Sequence, residues 1–258
     1  RQRQMCIRDS GLVATTPAHA ASLQGSGASF PAALIEACKA PFAAATTHSY
    51  TYASSSSGTG QSNSDKSIGD FWFSDGAYTA ATKRASLIHV PLVAAPIAIL
   101  HNVPNKKTLQ FSADTLAKIF SGQITMWNDP QILADNNRVN VTVIYSKNAD
   151  GTLKKDAKGN PIVLKTRSLP SKVILPNKKI TVVYRSDSSG TTENFTNYLN
   201  KSAPTVWTTA KNKVFASGFP GKINDPANLG RIVGQASSTG VSQLAGKTPY
   251  LSLIHISE

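Results

Sequence analysis

One ten-residue stretch, Val183-Tyr184-Arg185-Ser186-Asp187-Ser188-Ser189-Gly190-Thr191-Thr192, restricts the folds open to this chain more than any other. The β-branched run 180–183 predicts a strand, and Glu193-Asn194-Phe195-Thr196-Asn197-Tyr198-Leu199 predicts a helix beginning just after the loop. A strand that enters a helix through a small-residue loop points unpaired backbone N–H groups and the positive end of a helix dipole at one spot, an arrangement suited to anions. Arg185 adds a permanent cation with a donor fork, Ser189, Thr191 and Thr192 add hydroxyls, and Gly190 allows close approach of the backbone. The same residues also suit a Ser-capped helix with Arg185 and Asp187 as a surface pair, and the loop alone leaves both readings open.

The pattern recurs. A strand at 49–53 leads into Ser54-Ser55-Ser56-Ser57-Gly58-Thr59-Gly60, and Asp70-Phe71-Trp72-Phe73 leads into Ser74-Asp75-Gly76. Near the start, Ser22-Leu23-Gln24 begins a strand and Gly25-Ser26-Gly27-Ala28-Ser29-Phe30 a turn, with Pro31 placed where a helix starts. That helix is expected to reach about Ala45 with Leu34, Ile35, Cys38 and Phe42 facing inward. Phe30 stands where a dinucleotide fingerprint needs its third glycine, which excludes that motif. Strands alternating with helices through polar loops indicate an α/β fold.

Further along, 87–100 is the most apolar stretch, and Pro91 and Pro96 exclude a continuous helix, so it is read as buried extended chain. Ser112 caps a helix through Phe120 that Gly122 closes, and Trp127 anchors the turn that follows. Between 141 and 180 the composition changes: strands at 141–145 and 162–166 form a hairpin through Asp150-Gly151 and Gly159-Asn160. Lys147, Lys154, Lys155, Lys158, Lys165, Arg167, Lys172, Lys178 and Lys179 lie there with no interleaved aromatics for stacking bases, which favours a solvated insertion over a nucleic-acid surface. Ala245-Gly246-Lys247-Thr248 fails as a nucleotide loop because position 241 is Val241 and Pro249 would break the helix; a Gly-x-Ser-x-Gly elbow is missing too.

The two ends set limits on what composition can mean. Met5-Cys6-Ile7-Arg8-Asp9-Ser10 can be encoded ATG TGT ATA AGA GAC AGC, and the reverse complement of that DNA without its last base reads Leu-Ser-Leu-Ile-His-Ile, which is 251–256. Residues 1–10 and 251–258 are therefore read as sequencing adapter, and 11–20, ending Ala18-His19-Ala20, as the remnant of a cleaved secretory signal. The excluded ends contribute three arginines and two acids to the net charge of +13, leaving +12. Cys6 belongs to the adapter, so Cys38 is alone and read as a small buried helix residue; the histidines lack ligand spacing, so neither a metal nor another cofactor is expected. No apolar run is long enough to span a bilayer, and no stable membrane insertion is expected.

Taken together, Gly25 to Pro31, Ser55 to Gly60, Asp70 to Asp75, Gly122 to Asn128, Arg185 to Thr191 and Thr196 to Leu199 resemble the periplasmic phosphate-binding proteins of ABC phosphate importers, a likeness that covers most of 22–240. The resemblance implies an α/β, two-lobed periplasmic binding protein-like fold of type II that closes on one phosphate. Lobe 1 (21–95) would lack its C-terminal part, and lobe 2 (96–250) would carry the Lys-rich insertion at 141–180. It implies phosphate donors at Ser29 and Phe30, at Ser56 with Ser57 as its alternative, and at Arg185, Ser189, Gly190 and Thr191, with Asp187 fixing the arginine fork. Asp75 would accept a hydrogen bond from a protonated phosphate oxygen and turn away sulfate, which carries no proton to donate at neutral pH. A periplasmic monomer is implied, with inorganic phosphate and an ABC permease/ATPase complex as partners and without nucleic acid or catalysis. The loop 54–60 has serine where the family often has glycine, and the missing return of the chain into lobe 1 implies that this polypeptide binds phosphate more weakly than its natural parent.

Three other readings compete. A phosphoester-processing enzyme would need a metal cluster or an activated nucleophile with its base, and neither is legible. A nucleic-acid binder would use the +12 charge and lose affinity steeply with salt. A binder of sulfate or molybdate on the same fold would have no use for Asp75.

Overall fold

The structure, a computed structural model, describes residues 20–78, 85–106, 108–137, 139–170 and 173–256. Segment 1–10 and nearly all of 11–20, read above as a signal remnant, lie outside these residues, as does Lys172.

The first half builds a small parallel sheet. Strands β1 (Ser22–Ala28), β2 (Ser49–Ser55) and β3 (Phe71–Phe73) pair in the order β2-β1-β3, with both neighbours parallel to β1. Parallel neighbours need crossovers. These are helices α1 (Ala32–Ala37) and α2 (Lys39–Thr46) between β1 and β2, and α3 (Ser57–Asp65) between β2 and β3. Tyr50, Tyr52, Phe71 and Phe73 pack edge-on or stacked with ring centroids 5.5–6.3 Å apart. On α3, a Cβ at Gly60 would come within 2.8 Å of the Gly27 Cα, so a pair of glycines lets this polar helix lie against β1.

The second half builds a four-stranded sheet from β4 (Ile97–His101), β7 (Thr181–Arg185), β8 (Ile232–Gln235) and β9 (Leu251–Ile256), in the order β4-β9-β7-β8. Around it lie α4 (Ala113–Phe120), α5 (Pro130–Asn136), α6 (Gly190–Ser202), α7 (Phe215–Gly218) and α8 (Ser238–Lys247). The main core sits here: Trp127, Trp207, Phe120, Phe215, Ile119, Ile132, Ile180, Leu199 and Val182 are fully enclosed. Trp127 is tied down by its indole N–H, which donates to the carbonyl of Tyr250 at 2.9 Å. The mixed α/β architecture agrees with the sequence reading. Among the described residues no helix is long and apolar enough to cross a membrane.

Strands β5 (Val139–Tyr145) and β6 (Val163–Pro170) pair antiparallel outside both sheets, slightly longer than expected. The tip folds back twice, through Gly151 and Gly159, each at φ 84°.

Three expectations are corrected. The helix after Pro31 is broken at Cys38 into α1 and α2, because Pro41 cannot donate to residue 37 and its ring clashes with that carbonyl. Cys38 is exposed rather than buried and Leu34 is 45% exposed, since the break leaves Ile35 as the buried residue of α1. The apolar stretch 87–100 is not buried: Ile88, Val90 and Leu92 are 81%, 74% and 62% exposed, and pairing begins only at Ile97. Pro91 lacks the N–H a ladder requires, so this segment runs along the surface instead of joining a sheet. Segment 251–256, set aside as adapter in the sequence reading, forms β9 between β4 and β7, a pairing that does not bear on that reading. A six-residue run of Leu and Ile broken by Ser and His has the composition of a strand whatever its origin.

Candidate functional site

Loops at the carboxyl ends of the parallel strands face one another, the usual place for a ligand crevice in open α/β sheets. From the first sheet come Ser29-Phe30 after β1, Ser56-Ser57 after β2 and Asp75 after β3; from the second come Arg185 to Thr191 after β7 and Ser238 after β8. Three helices begin here, each with a serine cap. Ser56 Oγ accepts from Thr59 N at 3.1 Å, Ser189 Oγ from Thr192 N at 3.4 Å and Ser237 Oγ from Gly240 N at 3.1 Å. Each cap satisfies a deeper amide, and ahead of it Gly58 N of α3 and Ser238 N of α8 donate to the facing jaw.

In the first jaw, Ser29 is buried and Phe30 half-buried. Ser56 and Ser57 are both buried and divide the work. Ser56 caps α3 and pairs with the Thr59 hydroxyl at 3.0 Å, whereas Ser57 Oγ accepts from the backbone N–H of Asp75 at 3.1 Å. Ser57 thus serves to hold Asp75.

In the second jaw, Arg185 is only 3% exposed, and Asp187 takes two of its donors: Nε donates to Oδ1 at 2.6 Å and Nη2 to Oδ2 at 2.5 Å. Nη1 donates to Ser238 Oγ at 3.1 Å. A guanidinium has five N–H donors, so two remain for a ligand at the end of the fork. With Asp187 matching the cation and Asp75 adding a second carboxylate, attraction for an anion rests on helix N-termini and oriented hydroxyls rather than on net charge.

The jaws touch. Thr191 Oγ1 donates to Asp75 Oδ2 at 3.2 Å, Asn194 Nδ2 to the Asp75 carbonyl at 3.1 Å, and Gly58 N to the Ser188 carbonyl at 2.9 Å. Ser238 N donates to Ser29 Oγ at 3.2 Å. Lys213 Nζ donates to Gln61 Oε1 and stands 3.9 Å from the buried carboxylate of Glu193, which also pairs with Lys211 at 3.3 Å. A Cβ at Gly190 would lie 2.5 Å from Gly76 N and 2.8 Å from both Asp75 Cβ and Ser57 Oγ, so glycine is required at this crossing. Burial pushes the Asp75 carboxyl above its ordinary value of 3.8, against the hydrogen bonds from Thr191 and Ser57 and the charge of Arg185. Burial, with Asp75 nearby, also pushes up the phenol of Tyr52, whose hydroxyl donates to the Ala28 carbonyl at 2.6 Å.

The sequence profile of the PBP superfamily domain matches residues 13–249, nearly the whole chain. The chain belongs to the PBP superfamily. Among curated proteins it is 32% identical to the phosphate-binding protein PstS 3 of Mycobacterium leprae over 174 residues, which cover 65% of this chain and 38% of that one. It is 33% identical to the phosphate-binding protein PstS of Haemophilus influenzae over 187 residues, covering 71% of this chain and 46% of that one. The chain thus spans less than half the length of these relatives. Among solved structures, a phosphate-binding protein from Stenotrophomonas maltophilia superposes with a TM-score of 0.61 at 18% identity, covering 92% of this chain and 60% of that one. A periplasmic phosphate-binding protein (PfluDING) bound with phosphate gives a TM-score of 0.58 at 22% identity, covering 91% and 56%. At these identities the superpositions establish the fold of this PBP-superfamily chain.

Of the residues expected at the site, Ser29, Phe30, Ser56, Asp75, Asp187 and Ser189 lie on loops after β1, β2, β3 and β7, Arg185 ends β7, and Ser57, Gly190 and Thr191 stand in the first turns of α3 and α6. The sequence reading missed Ser238, Lys213, Gln61 and Glu193. Ser238 had a signal: Ser237-Ser238-Thr239-Gly240 is one more hydroxyl–glycine loop between a strand and a helix. The other three carry no local mark, since their meeting depends on how the two halves pack.

Proposed function

We propose that this chain captures inorganic phosphate between two lobes, 21–95 and 96–250, outside the cytoplasm and delivers it as a monomer to an ABC importer. One observation carries the reading: the buried, already paired Arg185 faces a crevice lined by helix N-termini that also holds a carboxylate, Asp75. A site built only to attract anions has no use for a carboxylate. Phosphate at neutral pH keeps a proton through which it donates a hydrogen bond to Asp75, while sulfate would set two acceptors against each other. Ser29, Phe30, Ser56, Arg185, Ser189, Gly190 and Thr191 act as donors around the remaining oxygens, Asp187 holds the fork, and no bond is made or broken.

Titration with inorganic phosphate and with sulfate, followed by tryptophan emission, tests the proposal. Phosphate is expected to bind and sulfate at equal concentration to compete poorly; Asp75→Asn is expected to narrow the gap. Equal competition by sulfate against the wild-type chain overturns the ligand assignment, and release of phosphate from a generic phosphoester overturns the non-enzymatic reading.

A further inference from the structure

Ser238 lies 209 residues from Ser29 in sequence, yet its amide donates to Ser29 Oγ at 3.2 Å and the two hydroxyl oxygens stand 3.1 Å apart. On its other side it receives Arg185 Nη1 at 3.1 Å. It is buried, and the turn that aims it is unusual: Ser237 adopts φ 62° and ψ 158°, a conformation almost confined to glycine, and is held there by its own cap bond to Gly240 N.

Chemistry fixes two of the three hydrogen-bond directions, while the third, between the two hydroxyls, can run either way. A guanidinium only donates, so Ser238 Oγ is the acceptor toward Arg185, and its single proton is free for Ser29. When Ser238 gives its proton there, Ser29 Oγ accepts from both the amide and the hydroxyl of Ser238, which occupies its two lone pairs and turns its own proton away from Ser238. We infer that Ser238 is a positioning residue of the phosphate site, completing a relay Arg185 → Ser238 → Ser29 that makes Ser29 a committed donor to the bound anion and links the cation of the second lobe to a hydroxyl of the first. Hydrogen bonds in such a chain polarise one another, so the terminal donor is stronger than an isolated serine. The inference rests on the phosphate reading above and extends it to a residue outside the expected set.

A double-mutant cycle on the 258-residue chain tests it, with phosphate affinity as the readout. Ser238→Ala is expected to weaken phosphate binding about tenfold, the lower range for a hydrogen bond serving a charged group. Ser238→Thr, which keeps the hydroxyl, is expected to restore most of it. In a Ser29→Ala background the Ser238→Ala loss is expected to shrink to about twofold, because the relay has no terminus left to act on. A merely structural Ser238 would give the same loss in both backgrounds; that result, or a Ser238→Ala single variant that binds like wild type, overturns the inference. Should Ser238→Ala fail to fold, Ser238→Cys, of similar volume but a weak donor, carries the same comparison. A wild-type chain that binds no phosphate at millimolar concentration overturns the phosphate reading itself, an outcome distinct from either result for Ser238.

Discussion

Thr191, at the start of α6, donates its hydroxyl to the carboxylate of Asp75 on the opposite jaw at 3.2 Å. This contact joins the two halves at the point where selectivity is proposed to arise, so perturbing Asp75 has consequences for stability as well as for binding.

Burial raises the folded-state ionisation of Asp75 above its ordinary 3.8. A carboxyl with a raised folded value contributes stability that is fully present below the unfolded value and is lost as pH rises through the folded one. Asp75→Asn removes this titration. In phosphate-free buffer the variant is expected to gain thermal stability over wild type as pH rises from acid toward neutral. A difference in Tm that stays flat or shrinks across that range contradicts the assignment.

Arg185 uses its planar fork to serve Asp187, Ser238 and the crevice at once. A lysine keeps the charge but cannot hold that geometry. Arg185→Lys is expected to weaken phosphate binding at least about tenfold, and Arg185→Ala at least about thirtyfold, since removing one member of a buried charge pair also strands its partner. Calorimetric titration of the two variants checks both; wild-type affinity in the lysine variant would reduce the arginine to a simple charge.

Gly190→Ala places a methyl group within 2.8 Å of Asp75 Cβ and Ser57 Oγ. Backbone groups at that crossing have little room to retreat, so the jaws are expected to stand further apart. Small-angle scattering is expected to show a larger radius of gyration for the variant, together with loss of phosphate binding. Closure and affinity equal to wild type would mean that the crossing is not tight.

Among the described residues, the hydrogen bonds of the Lys-rich hairpin tip 146–162 stay within the hairpin. Tyr145 pairs with Val163, so replacing 146–162 by a two-residue Asn-Gly turn should reconnect β5 and β6. Phosphate affinity is expected to stay within about twofold, because salt screens exposed charges and they act weakly on a buried site. A steep loss of affinity would assign the lysines a role in capture.

How much of this was legible in the sequence depends on how local each cause is. Ser56 and Ser189 cap their helices because a hydroxyl and an amide three residues on are within reach in any context, and the glycine turns of the hairpin follow from φ alone. Those local rules, repeated loop after loop, determined the α/β character of the chain and drew attention to the loops that carry Arg185 and Asp75, whose roles came from the family resemblance. Burial obeys no such rule. Cys38 and the stretch 87–100 read as interior because they are apolar, yet whether an apolar side chain is covered depends on which element packs over it, and Pro41 and Pro91 had already redirected the chain. Ser238 meets Ser29 across 209 residues, and Lys213 meets Gln61 across 152, contacts that exist only once the sheets have set the crevice. The sequence by itself determined which residues are able to hold an anion. Tertiary structure decided which of them face one another, because hydrogen bonds act over about 3 Å and only packing brings distant loops that close.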